Sequence, residues 1–112
     1  MAELEILVYA DAYGRAPFES WFDDLDALAQ AKVTVALDRL RRGNVSNVAG
    51  VGESVFELKL DWGPGYRLYF GRDGDKIVIL LLGGTKKRQS RDIATAKGFW
   101  LDYKSRKPMP PK

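Results

Sequence analysis

The chain has 112 residues, 46% of them hydrophobic, which predicts a single domain with a packed core. It has no cysteine and no histidine, which excludes disulfides, thiolate metal sites and the commonest imidazole base. No apolar run approaches the roughly 20 residues of a membrane span, and the acidic, alternating N-terminus is unlike a basic signal peptide. We therefore expect a soluble, cytoplasmic protein that needs no cofactor.

Charge is distributed unevenly along the chain, although the net charge is only +3. Residues 1–30 carry a net charge of −6, whereas residues 76–112 carry +8. This basic C-terminal third predicts a polyanion or an acidic partner at one side of the fold. The alternative is a solvated basic tail without a partner.

The N-terminal part predicts one strand followed by two helices. Residues 3–9 alternate between polar and apolar side chains, which is typical of a half-buried strand. Pro17 suits the first turn of a helix, and Asp26 is the predicted N-cap of a second helix from Ala27 to about Arg42. Gly43 fits the C-cap of that helix. Core positions recur at helical spacing in the first helix: Phe18, Trp21, Phe22 and Leu25.

Three arginines lie in the last turns of the second helix, where cations complement the helix dipole. They are Arg39, Arg41 and Arg42, and they are also candidates for holding a phosphate chain. The small, polar residues 44–54 predict a loop.

Residues 56–84 predict an antiparallel meander of three strands. Turns are predicted at residues 63–65 and at Asp73-Gly74, and the apolar run 77–82 predicts a central strand covered on both faces. Alternation in the first two strands places one set of polar side chains opposite the packing face. These are Glu57, Lys59, Asp61, Arg67 and Tyr69.

The C-terminal part predicts a basic turn and a short helix that starts at Gln89 or Ser90. The predicted domain spans residues 3–103, and residues 104–112 form a basic, proline-rich tail. The fold class is α+β, of order β-α-α-β-β-β-α. We expect a small antiparallel sheet with the helical hairpin packed on one face and the short helix at the C-terminal end.

Several cations converge in this arrangement. Lys59 and Arg67 lie on the same face of adjacent antiparallel strands, and Lys86, Lys87 and Arg88 follow the third strand. Such a cluster can bind a phosphodiester backbone and stabilise the charge that develops when a 2′-hydroxyl attacks phosphorus. Alternatively, Lys59 pairs with a neighbouring carboxylate and Arg67 is an ordinary exposed strand residue.

Proton transfer has several candidates in the absence of histidine. A lysine desolvated among arginines can act as a base, and Glu57 is another proton acceptor. Tyr69 or Tyr103 can donate a proton or stack on a base. A metal site built from Asp61, Asp73 and Asp75 is a further alternative, although it lies partly at a turn tip.

The runs FELKLDWGPGYRLYFGRDGDKIVILLLGGTKKRQSRDIATAK and FWLDY resemble the RelE/ParE superfamily of toxin–antitoxin toxins, in particular its HigB-like addiction module killer branch. The resemblance covers residues 3–103. It implies a bacterial type II toxin that cuts mRNA on the ribosome without a metal. It also implies a cognate HigA-like antitoxin with a helix-turn-helix domain.

The resemblance also implies roles for individual residues. Lys59 matches the second lysine of a K-x-K strand whose first position is Glu57 here, and Arg67 matches the arginine of G-Y-R. Lys86 or Lys87 matches a basic position after the third strand. Tyr103 is the candidate for a C-terminal catalytic position of the family. From the residues themselves we expect RNA to be bound by Arg88, Arg91, Tyr69 and Tyr103.

Two other functions remain open from the sequence. ParE-like members of the superfamily inhibit DNA gyrase and cut no RNA, and fold resemblance does not separate the two activities. A nucleic-acid-binding module without toxicity is the third alternative.

Overall fold

A computed structural model describes residues 3–107 of the chain. The elements in chain order are β1 (Glu5–Val8), α1 (Pro17–Asp23), α2 (Ala27–Arg41), β2 (Val48–Gly52), β3 (Val55–Leu60), β4 (Tyr66–Asp73), β5 (Ile77–Thr85), a single 3₁₀ turn (Lys86–Arg88) and α3 (Gln89–Arg106). The strands form one sheet of order β1-β5-β4-β3-β2. The predicted α+β class is confirmed, and the sheet is antiparallel except where β1 runs parallel to β5.

The N-terminal helices begin where the sequence predicts. Pro17 opens α1, and the Asp26 side chain caps α2 by accepting a hydrogen bond from the Ala29 N–H at 2.8 Å. Trp21 and Phe22 pack against the core, as their helical spacing predicts. The hairpin therefore covers one face of the sheet with its apolar side.

The prediction of a loop over residues 44–54 is wrong in its second half. Val48–Gly52 forms the edge strand β2 and pairs with β3, with a register shift between Gly50 and Gly52. This segment, VAGVG, alternates neither in polarity nor in size, so no sequence pattern marks it as a strand. It pairs with β3 through backbone groups, which do not require a particular pattern of side chains.

The C-terminal helix differs most from its prediction. It has 18 residues, and it packs against the sheet face opposite the hairpin, so the molecule has three layers. Trp100 is only 4% exposed, and a methyl group on Gly71 of β4 would overlap its indole ring. This close approach holds α3 against the face on which the sequence placed the exposed polar residues.

The predicted tail begins inside α3, because residues 104–106 are helical. Residues 108–112 of that tail lie outside the described residues. Within residues 3–107, no helix combines the length and the apolar character that crossing a bilayer requires.

Candidate functional site

A row of three residues crosses the sheet at the end where β4 begins. Lys59 of β3 is the direct partner of Arg67 in β4, and Arg67 is in turn the partner of Gly84 in β5. Directly opposed residues have Cβ atoms about 5 Å apart, so the predicted neighbourhood of Lys59 and Arg67 is confirmed. Lys59 is exposed, whereas Arg67 is only 6% exposed.

The tip of Arg67 and the side chain of Lys86 meet at Gly65. Nη1 of Arg67 donates to the carbonyl oxygens of Gly65 (3.1 Å) and Tyr66 (3.2 Å). The Lys86 N–H donates to the same Gly65 carbonyl at 2.8 Å. Gly65 has a φ of +75°, and a Cβ there would lie 3.2 Å from Lys86 Cβ. The turn thus brings two cations side by side, as the sequence predicts for the end of the third strand.

Beneath this row, Arg67 is anchored by a buried carboxylate. Its Nε lies 3.9 Å from Oε1 of Glu57, whose side chain is 2% exposed. Nε2 of Gln89, the first residue of α3, donates to Oε2 of Glu57 at 2.7 Å. Glu57 is therefore held between the sheet and α3, and it in turn holds Arg67.

Two further titratable groups lie in this buried network. Asp92 is 7% exposed and sits directly over Gly84, where a side chain would overlap its carboxylate. Burial raises the pKa of Asp92, while the positive charges of Arg88 and Arg91 act in the opposite direction. Burial, and then the negative charge of Glu57, raise the pKa of the Tyr69 hydroxyl, so this phenol is protonated at neutral pH.

The turn after β5 supplies an exposed basic surface. The 3₁₀ turn and the first turn of α3 place Lys86, Lys87, Arg88 and Arg91 around one shallow pocket. Ion pairs within residues 3–107 involve Arg15, Arg41, Arg42, Arg67, Arg106 and Lys107. The basic surface is therefore not neutralised by carboxylates of the described chain, and it adjoins the row of Lys59 and Arg67.

Neither tyrosine occupies the role that the sequence suggested. Tyr69 is 0% exposed beneath α3, so its ring is not available to stack on a base. The Tyr103 hydroxyl donates to Asp73 at 2.7 Å, and burial together with this bond raises its pKa to about 12. Asp73 lies six positions along β4 from Arg67, roughly 20 Å away at the strand rise. Tyr103 therefore belongs to the opposite end of the sheet.

Two other predictions about the site are wrong. Lys59 is exposed, so it is not the desolvated lysine that was expected to serve as a base. Glu57 is buried and hydrogen bonded, which removes it as a proton acceptor in contact with a ligand. The predicted carboxylate metal site is also not assembled, because Asp61 and Asp73 lie at opposite ends of β4. No group of three or more Asp, Glu, His or Cys in residues 3–107 is arranged to hold a metal ion.

Comparison with known proteins identifies the family. The family described as "Phage derived protein Gp49-like (DUF891)" matches residues 20–98. The chain belongs to the Gp49-like family. A similar protein from Haemophilus influenzae, which carries the name "Uncharacterized protein", is 42% identical over 81 residues, which cover 71% of this chain and 82% of that protein.

The part that matches the Gp49-like family contains the site. Residues 20–98 include the row at Lys59 and Arg67, the basic turn and the buried carboxylate Asp92. They exclude β1 and the last turns of α3, where Tyr103 lies. The shared segment thus includes the whole cation cluster but not Tyr103.

Gln89 and Asp92 were given no role from the sequence, although both contribute to the site. They are three positions apart at the start of a helix, which places them on one face. This spacing, together with the two glycines Gly83 and Gly84 in the strand before the helix, is the signal that the sequence offers for these contacts. It indicates that polar side chains of α3 approach the sheet closely.

Proposed function

We propose that this Gp49-like protein is the toxin of a bacterial type II toxin–antitoxin system and that it cuts RNA with its cation cluster. The observation that carries the proposal is the cluster of Lys59, Arg67 and Lys86, in which a buried arginine is flanked by two exposed lysines. Family membership supports it, because the Gp49-like family is related to the RelE-like toxins.

The cluster suits transition-state stabilisation during attack by a 2′-hydroxyl. In this reaction the bond between O2′ and phosphorus forms, the bond between phosphorus and O5′ breaks, and the phosphorane between them carries additional negative charge. A guanidinium fixed in position before the reaction stabilises that charge without reorganising. Arg67 meets this requirement, since its Nη1 is bonded to two carbonyl oxygens and its Nε faces Glu57.

Proton transfer falls to the exposed groups around Arg67. The proton of the attacking 2′-hydroxyl passes to solvent, which reaches the exposed lysines. The O5′ leaving group gains a proton from the ammonium group of Lys59 or Lys86, which lie on either side of the proposed phosphate position. Glu57, which is buried, acts as a positioning residue for Arg67. The proposed reaction uses side chains of the chain and solvent, and no metal ion.

The proposal extends to the partners of the protein. The substrate is mRNA on the ribosome in the cytoplasm, and a cognate antitoxin, HigA-like and carrying a helix-turn-helix domain, holds the toxin inactive. The basic turn at Lys86–Arg91 supports a polyanionic substrate, because its charges have no carboxylate partner among the described residues.

Mapping of RNA 5′ ends after a brief pulse of expression tests the proposal. We expect cuts within translated codons from the wild-type protein. Lys59→Ala and Lys86→Ala should each reduce cutting by about 10²-fold, the usual effect of removing one charge-stabilising group. Both side chains are exposed, so the variants should keep the thermal unfolding midpoint of the wild type.

Lys76→Ala is the matched control, since Lys76 is an exposed lysine at the far end of β4 and β5. Cutting that persists in both site variants would contradict the assignment of the row. Growth arrest with intact mRNA and damaged DNA would instead identify a gyrase inhibitor. Normal growth with intact mRNA would leave a nucleic-acid-binding module.

A further inference from the structure

A groove separates α2 from the exposed edge of β3, on the side of Lys59 away from Lys86. Its volume is about 310 Å³, near the lower end of the range for small-ligand pockets. The strand β2 begins opposite Leu58, and the Lys59 N–H donates to Asn47 O at 3.0 Å. Beyond this point β3 is the sheet edge, and α2 forms the other wall of the groove.

The lining of the groove combines cations with an aromatic ring. Lys32 and Arg39 are seven positions apart on α2, which puts them on one helix face roughly 10 Å apart along the axis. Lys59 lines the opposite wall, and Asp61 is the single carboxylate of the lining. The half-buried ring of Trp62 closes one end, with Lys32 Nζ 5.6 Å from its centre.

The arginines of α2 differ in whether they form ion pairs. Arg41 binds Glu3 and Asp38, and Arg42 binds Asp38 at 3.1 Å. Arg39 and Lys32 take part in no ion pair within residues 3–107, and both are exposed. Arg39 complements the helix dipole from the last turn, as Arg41 does. Ion pairing, however, accounts only for Arg41 and Arg42, and not for the two cations that face the groove.

We infer that this groove binds one nucleotide of single-stranded RNA adjacent to the cation cluster. Lys32 and Arg39 contact the flanking phosphates, and the Trp62 ring packs against the base. Asn44, Ser46 and Asn47 also line the groove, and their polar groups are those that would meet the base edge. The inference rests on the proposed function, since Lys59 joins the groove to the row at Arg67.

An RNA nucleotide suits the groove better than an acidic peptide does. Lys59 lies at the edge of the sheet, between Arg67 on the face of α3 and the groove on the face of α2, so a strand that passes the cluster reaches the groove around this edge without leaving positive charge. The groove also has the size of a single small ligand. A helical peptide segment about 10 Å in diameter would need a longer and wider channel.

Binding of a fluorescein-labelled, 2′-O-methyl 12-mer of mixed sequence tests the inference by anisotropy. The 2′-O-methyl group blocks cleavage, so binding is measured separately from the proposed reaction. We expect Lys32→Ala and Arg39→Ala each to weaken binding about fivefold and to lower the salt slope by about 0.7. Trp62→Ala should weaken binding at least about fivefold, and Trp62→Phe should retain most of the affinity if Trp62→Ala misfolds.

Lys76→Ala is again the control and should bind as the wild type does. Wild-type affinity in all the groove variants would overturn the inference, even if the wild-type protein cuts RNA. Loss of binding in those variants with no cutting by the wild type would support the groove and refute the nuclease. If the variants weaken binding of poly-L-glutamate but not of the RNA, the groove is a site for an acidic peptide and the inference fails.

Discussion

The two ends of α3 carry similar numbers of positive charges in opposite arrangements. At the C-terminal end, Asp102 accepts from Tyr9 (2.6 Å) and Arg106 (2.8 Å), and Asp73 accepts from Tyr103 (2.7 Å) and Lys107. Arg106 and Lys107 are thus paired, and they complement the helix dipole. At the N-terminal end, the cations of residues 86–91 lie where the dipole disfavours them, and described carboxylates do not pair with them.

This difference separates charge that stabilises the fold from charge that is available to a ligand. The basic C-terminal third of the sequence divides into an anchoring end and a proposed binding end. Basic composition alone therefore overestimates the size of an anionic binding surface, because paired residues such as Arg106 and Lys107 contribute to it. The cations available to a ligand are identified by the absence of an ion-pair partner among the described residues and by their position at the N-terminal end of the helix dipole.

The largest effect on stability is expected at the anchoring end. Trp100→Ala removes a buried ring that lies over Gly71 and stacks on Tyr103 at 5.3 Å. We expect a loss of about 3–5 kcal/mol in the free energy of unfolding, measured by urea denaturation. A loss below 1 kcal/mol would show that α3 is not held by this contact.

The next effect is expected at the binding end. Gln89→Ala removes the hydrogen bond to Glu57 and leaves a buried carboxylate oxygen without a donor, at a cost of about 1–3 kcal/mol. RNA cutting should fall by more than the folded fraction does, because Glu57 no longer fixes Arg67. Ser90→Ala, an exposed neighbour, is the control and should change neither quantity. If the fully folded Gln89→Ala variant cuts RNA as the wild type does, then Glu57 does not contribute to the site.

A smaller, pH-dependent effect is expected from Tyr103→Phe. Hydrogen bonds from Lys107 and then Tyr103 lower the pKa of Asp73. The stabilisation is therefore present above the unfolded pKa of about 3.9, and it is lost as pH falls through the lower folded value. We expect the variant to lose about 1 kcal/mol at pH 7 and less below pH 4. Tyr13→Phe, at an 83% exposed position, is the control.

The smallest effect is expected in the middle of α3. Gly98 is helical and exposed, and a Cβ there meets no atom within 4 Å. Gly98→Ala should therefore raise the free energy of unfolding by up to about 1 kcal/mol. RNA cutting should not change if the two ends of the helix act independently, and a change of more than twofold would show that they are coupled.

Local signals predicted most of the fold. The cap at Asp26, the proline at the start of α1 and the alternation in the meander each determine a backbone feature within a few residues. Lys59 and Arg67 follow from the same alternation, because strand parity fixes which side chains share a face. Two features were not predicted: the strand β2, whose residues show no alternation, and the face of the sheet on which α3 packs.

Burial by α3 explains most of the errors about the site. Parity assigned Glu57, Arg67 and Tyr69 to one face, but it does not indicate whether another element covers that face. The polar side chains suggested an open surface, whereas they are buried: Gln89 donates to Glu57, and Arg67 donates to backbone carbonyl oxygens. The covering helix α3 contacts the sheet through the polar residues Gln89 and Asp92 at its N-terminal end and through Trp100 towards its C-terminal end.

The parallel pairing of β1 has a consequence for how the chain folds. Its partner strand is 72 residues away in sequence, as in the pair Glu5 and Ile77, whereas β3, β4 and β5 pair through short turns. The cost of closing such a long loop makes distant pairings slow to form. The meander is therefore the natural early structure. Until β1 docks, one edge of β5 stays open, and the newly made chain is most exposed to misassociation during that interval.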